Sequence, residues 1–221
     1  MPLYVLDKNL WFPPVTEAAD DGLLAIGGDL SADRLLLAYQ KGIFPWFDGD
    51  VPVWWCPDPR FVLFPNELKV SKSMKALLKR NAFEFTINKA FDQVIKACKE
   101  KERAGQDGTW ITDWVEQAYK ELHKLGYAQS AEVWINNELV GGLYGIRMGN
   151  MFFGESMFSY VSNASKYAFI KYINHLVKDG AELIDCQVYT EHLESLGARM
   201  IDRDRFLQFI KHLPELINKQ I

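Results

Sequence analysis

The chain has no apolar run approaching the ~18–20 residues that a membrane-spanning helix needs. Its start, "MPLYVLDKNLWFPP", has neither the basic nor the apolar segment of a secretory signal. Cysteine is scarce: Cys56, Cys98 and Cys186 lie far apart, odd in number and without a CxxC pair. This argues against a disulfide frame or a zinc site and for reduced thiols in a cytosolic protein. There is no HExxH, and four scattered histidines add no metal-ligand spacing, so no metal is expected. Neither GxGxxG nor a P-loop lysine occurs; the Gly pair of "AIGGDLS" reads as a turn. The net charge is −4 and the pI about 5.6, against a generally basic nucleic-acid coat but not against a local basic stripe. Repeats and low-complexity tracts are absent as well.

What is present, in 221 residues, is an ordinary globular composition, 48% hydrophobic and 24% charged, with seven tryptophans. That length suits one large domain or two smaller ones sharing a core. The first sixty residues are rich in Pro and Gly turn signals around one helix, "ADRLLLAYQK", capped by Ser31 and closed by Gly42. "VPVWWCPDPRFVLFP" predicts two short strands with a Pro-kinked loop between them. After Asn66 the order changes. A basic helix follows Ser71, then a strand "FEFTI", a helix from Asn88 to about Lys101, the loop "ERAGQDGTW", and a helix from Thr112 to Gly126. Three strands with tight turns at Asn136-Asn137 and Gly149-Asn150 come next. A crossover helix then leads to the strand "LIDCQV", and two short helices follow. Such a crossover permits parallel pairing. The expected architecture is α/β (α+β): a small N-terminal α/β domain over residues 1–62, and a GNAT-like domain over 63–221 with a mixed, mainly antiparallel sheet.

Within "LIDCQV", strand alternation puts Asp185 and Gln187 on one face, roughly 6.5–7 Å apart at Cα. A carboxylate inside an apolar strand costs free energy unless something answers it. Either the face is a solvated sheet edge or the pair serves a site; the place after the crossover helix favours the site. "GESMF" lacks the final Gly of a nucleophile elbow, so Ser156 is a poor nucleophile, whereas Glu155 can hold an ammonium or guanidinium or serve as a surface ion pair. Lys72, Lys75 and Lys79 share one helical face with Arg80 beside it. Such a stripe is either a solvated face or, with aromatic platforms near, a nucleic-acid contact. The crossover helix opens with "SYVSNASKYA", which lacks the Gly-rich turn that would hold the pyrophosphate of an acyl-CoA.

The segments "GLLAIGGDLS", "AYQKGIFPWF", "WWCPDPR", "GTWIT", "ELVGGLYG", "GESMF", "SNASK" and "LIDCQV" occur in that order over residues 22–197. Together they resemble the leucyl/phenylalanyl-tRNA–protein transferase family. The resemblance implies an aminoacyltransferase that works in the cytoplasm without CoA or another cofactor. It would move Leu or Phe (Met less well) from aminoacyl-tRNA to proteins that begin with Arg or Lys, marking them for degradation. It implies Trp46 and Trp110 as the pair that stacks on the terminal adenine, and Asp185 and Gln187 as the catalytic pair. Glu155, Met157, Leu143 and Tyr172 would form the aminoacyl pocket; Leu143 and Tyr172 stand where Met and Phe are familiar. Lys72, Lys75, Lys79 and Arg80 would contact tRNA. From the chemistry of an amine attacking an ester, Asp185 is expected to accept or relay the amine's proton while Gln187 orients it, with a ribose 2′-hydroxyl as the alternative shuttle. Glu191 joins Glu155 as a candidate for the acceptor's cation. A monomer is the default. The alternatives are an acetyl-CoA N-acetyltransferase on the same fold and a non-catalytic tRNA-binding or degradation adaptor.

Overall fold

The computed structural model describes residues 3–101 and 110–214. Residues 102–109 of the expected loop and the C-terminal tail beyond 214 lie outside the described residues. In chain order the elements are β1 (Tyr4–Leu6), β2 (Leu23–Gly27), α1 (Ala32–Gln40), β3 (Phe44–Pro45), β4 (Val53–Trp55), β5 (Arg60–Leu63), α2 (Lys72–Lys79), β6 (Glu84–Ile87), α3 (Phe91–Glu100) and α4 (Asp113–Lys124). The rest are β7 (Ala128–Ile135), β8 (Glu138–Met148), β9 (Met151–Ser159), α5 (Ala164–Lys178), β10 (Leu183–Gln187), α6 (Glu191–Glu194), β11 (Arg199–Ile201) and α7 (Arg203–Ile210).

Helix starts follow their caps. The side chains of Ser31, Ser71 and Thr112 each accept a backbone N–H from the first turn of α1, α2 and α4. One start moves: α3 begins at Phe91, not Asn88. Asn88 takes φ +57° and its side-chain carbonyl accepts the N–H of Ser130, so it ends a strand connection and does not open a helix. The β7–β8 turn is as expected, with Asn136 and Asn137 both at positive φ.

Four strands form an N-terminal sheet in the order β1-β2-β4-β3. The other seven form the main sheet, β11-β5-β10-β9-β8-β7-β6, in which only β9–β10 is parallel. The crossover through α5 thus gives the GNAT-like arrangement that the element order predicts. Strand β5 spans the expected 62/63 boundary and pairs within the main sheet, between β10 and β11.

Side chains alternate between two apolar clusters, one on each face of the main sheet. Phe61, Leu143, Phe152 and Ile184 pack under α5, whereas Val62, Tyr144, Phe153 and Leu183 pack toward α1, α3, α4 and the N-terminal sheet. Asp185 follows the parity of Leu183, so its carboxylate points toward the N-terminal side. A Cβ on Gly141 would lie 2.6 Å from that of Ala164, which is why the start of α5 can press so close on β8.

Candidate active site

The site forms where two parallel strands part. β9 pairs with β10 only as far as Phe153↔Asp185 and then runs on with β8 to Ser159, while β10 turns toward β5. Two bulges shape the gap. In β9, Ser156 faces Tyr144 and Gly154 faces Gly145, so Glu155 has no partner across the ladder. The extra residue reverses the strand's parity: Phe153 and Phe158 reach the same cluster although five positions apart, and Met157 turns to the α5 face. A Cβ on Gly145 would lie 2.1 Å from the Phe153 carbonyl, so only glycine fits opposite the bulge. In β10, the register slips between Asp185 and Gln187, and Gln187 adopts φ +64°. A left-handed conformation in a non-glycine residue is strained, and such strain gathers at functional sites.

The result is a cavity of about 510 Å³, within the size range of small-ligand sites. Leu143, Phe152, Met157, Phe169 and Ile184 make its apolar wall, and Glu155, Asp185, Gln187 and His192 bring polar groups to it. Trp46 and Trp110 line it from the N-terminal sheet and from the segment before α4. Trp46 is 42% exposed, and its backbone carbonyl accepts the indole N–H of Trp55.

The buried charge of Asp185 is answered by a cation and by backbone. The residue is 0% exposed. Its Oδ1 accepts Nε–H of Arg60 at 2.8 Å and its Oδ2 accepts Nη2–H at 2.7 Å, a two-toothed pair. Oδ1 also accepts the backbone N–H of Gln187 at 2.9 Å, which pins the bulge. The guanidinium lies between the rings of Phe44 and Phe206, 4.6 Å from each centroid. Asp185 lines the cavity, as expected of a site residue, and three N–H groups of the protein already point at its two oxygens.

Glu155 is held differently. Its Oε1 accepts the hydroxyl of Tyr39 at 2.7 Å and Nε2–H of Gln187 at 2.9 Å, and its Oε2 accepts the hydroxyl of Tyr119 at 2.9 Å. The two tyrosine oxygens are themselves 2.5 Å apart. No cation touches this carboxyl among the described residues. Burial pushes its pKa up to about 7, with nearby Asp185 adding to the rise and the three hydrogen bonds opposing it. Burial and the Glu155 charge push both tyrosines well above their ordinary range, so they remain hydroxyl donors.

Tyr172 is not in the cavity: its ring stands edge-on behind Phe152, and its hydroxyl donates to Gln129. Lys72, Lys75, Lys79 and Arg80 are exposed on or next to α2, which packs by Met74 against the α5 layer and does not line the cavity. Glu191 is exposed beside the lining residue His192. Arg60, Tyr39 and Tyr119 were missed by the sequence reading. For Arg60 a signal existed, a cation opening a buried strand and so in need of a partner. Tyr39 and Tyr119 sit at helical spacing among apolar residues, where nothing sets them apart from core tyrosines.

Two family models match the chain: leucyl/phenylalanyl-tRNA protein transferase over residues 62–211, and the N-terminal domain of that transferase over residues 28–58. The chain belongs to the leucyl/phenylalanyl-tRNA–protein transferase family. A relative of that name from Flavobacterium johnsoniae is 56% identical over 95% of this chain and 99% of its own. One from Syntrophobacter fumaroxidans is 52% identical over 99% and 94%. This makes the chain an enzyme of the transferase class. Solved structures are far more distant. FemX shares 11% identity at a TM-score of 0.48, covering 81% of this chain and 71% of its own. A GCN5-related N-acetyltransferase from Kribbella flavida shares 8% at 0.36, covering 75% and 59%. Neither likeness bears on the chemistry. Among the described residues, no helix is long and apolar enough to cross a membrane, and no group of His, Cys, Asp and Glu is arranged to hold a metal.

Proposed function

We propose that this transferase moves Leu or Phe, and Met less well, from aminoacyl-tRNA to the α-amine of proteins that begin with Arg or Lys. The observation that carries the reading is one cavity that joins an apolar wall, a half-buried amide–carboxyl pair and two indole rings. The apolar wall takes an unbranched or aromatic side chain and discriminates by shape and desolvation. Trp46 and Trp110 offer faces for the terminal adenine, and stacking of this kind is worth roughly 1–3 kcal/mol per base. Lys72, Lys75, Lys79 and Arg80 contact the tRNA backbone farther out. The exposed carboxylate of Glu191 selects the cationic side chain of the acceptor. The protein acts in the cytoplasm as a monomer, and its product is a degradation signal.

The reaction needs little beyond placement, because an aminoacyl ester is already activated. The amine nitrogen attacks the ester carbonyl, the bond to the ribose oxygen breaks, and that oxygen leaves as a hydroxyl. Orientation alone can supply roughly 7–11 kcal/mol. Gln187 spends its Nε2–H on Glu155, which leaves its Oε1 to accept an N–H of the incoming amine. Asp185 fixes the position of Gln187 through its backbone N–H.

Acetyl-CoA fits this site less well. The first amides of α5 are already taken, Ala164 N–H by the Val161 carbonyl at 3.0 Å and Ser165 N–H by Ser159 Oγ at 3.2 Å. The test is incubation with labelled Leu-tRNA or Phe-tRNA and a peptide that begins with Arg or Lys, beside the same peptide N-acetylated. Label should pass only to the free amine. Binding of tRNA with no labelled peptide would indicate an adaptor, and acetylation from acetyl-CoA would indicate the acetyltransferase.

A further inference from the structure

We propose that Glu155, not Asp185, takes the proton from the incoming α-ammonium, and that Tyr39 and Tyr119 are the positioning residues that prepare it. The inference rests on the transfer reaction above and names the group that handles its proton.

The support begins with a proton count. Tyr39, Tyr119 and Glu155 make three mutual oxygen–oxygen contacts, all within hydrogen-bond distance. Two hydroxyls supply two protons. With Glu155 ionised, one of the three contacts has no proton to share. With the carboxyl protonated, the ring closes: Oε2–H donates to Tyr119, Tyr119 to Tyr39, and Tyr39 to Oε1, while Gln187 Nε2–H continues to donate to Oε1. The geometry is therefore built to receive one further proton. At Asp185 every contact already has its proton, because all three partners are N–H groups, two of them on the Arg60 guanidinium.

The groups around Glu155 agree. Tyr39 comes from α1, Tyr119 from α4, and Gln187 and the like charge of Asp185 from β10; Tyr144 of β8 packs its ring against Tyr119. Arg60 of β5, whose charge reaches Glu155, is paired to Asp185, and Lys101 also lines the cavity. An α-ammonium has a pKa of about 7.7–8, close to the raised value at Glu155, so proton transfer between them costs only about a unit.

The step balances. The ammonium gives one proton to the Glu155 carboxylate and becomes a neutral amine. The amine nitrogen then forms the bond to the ester carbon, and its surplus proton leaves on the ribose oxygen. When the product departs, Glu155 returns its proton to solvent.

The test compares two acceptor peptides, one with an ordinary α-amine and one with an aminooxy group in its place, a nucleophile already neutral at pH 7. Glu155→Gln should lower transfer to the amine by about 10²-fold or more, and transfer to the aminooxy peptide by less than about tenfold. Equal losses on both acceptors would overturn the inference. Tyr39→Phe and Tyr119→Phe supply a second reading that a merely structural role would not give. Each removes a hydrogen bond that holds the Glu155 pKa down, so the acid limb of kcat/KM against pH should move to higher pH. Limbs that coincide with wild type would also overturn it. Failure of the wild-type protein to transfer to either peptide would remove the underlying reaction, which sets that failure apart from the others.

Discussion

Two carboxyl groups line the cavity, Asp185 fully buried and Glu155 half-buried, and the protein treats them oppositely. Asp185 faces a guanidinium clamped between two aromatic rings, and every oxygen contact on it is an N–H. Glu155 faces two hydroxyls and an amide, all neutral. A buried charge with a matched partner is a fixed structural part, costly to break. A half-buried carboxyl among neutral donors is held in place yet free to change protonation, because its partners bond to either form. The comparison teaches that burial alone does not mark the reacting group; the kind of partner does.

The largest effect should come from breaking the fixed pair. Arg60→Met strands a buried carboxylate, and Asp185→Leu strands a buried guanidinium. Each is expected to cost about 3–5 kcal/mol in urea unfolding. The double variant should recover most of that stability while transfer stays low, because Gln187 loses the group that pins its backbone. Asp185→Asn should lose stability as well as rate, so it must be read against an unfolding curve.

Next comes the titrating carboxyl. Its folded pKa of about 7 lies above the ordinary value of 4.5. The sign follows: its stabilising contribution is fully present below about pH 4.5 and is lost as the pH rises through about 7. The loss amounts to roughly 3 kcal/mol across that window. Glu155→Gln should flatten this part of the stability profile between pH 4.5 and 8, measured by urea unfolding at fixed ionic strength. An unchanged profile would mean that the two carboxyls differ less than their partners suggest.

Smaller effects lie at the rim and beyond. Trp46→Ala and Trp110→Ala should each weaken binding of a tRNA acceptor-stem analogue by roughly 1–3 kcal/mol, without moving the acid limb of the pH profile. Replacing Lys72, Lys75 and Lys79 by Ala should reduce the slope of log affinity against log salt by roughly 2–3. It should leave the rate at saturating tRNA unchanged, which would separate the outer basic helix from both carboxyls.

Much of this was legible in the chain. The alternation in "LIDCQV" put Asp185 on a covered face, and the crossover helix before it placed its strand beside β9. Resemblance of segments, not spacing, singled out Trp46 and Trp110. The bulge at Glu155 was not legible, because "FFGESMFS" reads as an unbroken strand until its parity is checked against both apolar clusters. The place of Tyr172 was hidden for a related reason: α5 buries many residues against the sheet, and only the packing tells that Phe169 reaches the cavity while Tyr172 stands against Phe152.

By itself the sequence determined the order of the helices and of strands β4 to β10, most of their caps and tight turns, and which faces turn inward, because these depend on neighbours within a few positions. Only the tertiary structure decided which polar groups meet. Arg60 reaches Asp185 across 125 residues, and Tyr39 reaches Glu155 across 116. Such meetings are governed by the cost of leaving charge and hydrogen-bonding groups unanswered inside a medium that screens poorly. That cost can be stated from the chain, but the partner that answers it exists only once the fold has closed.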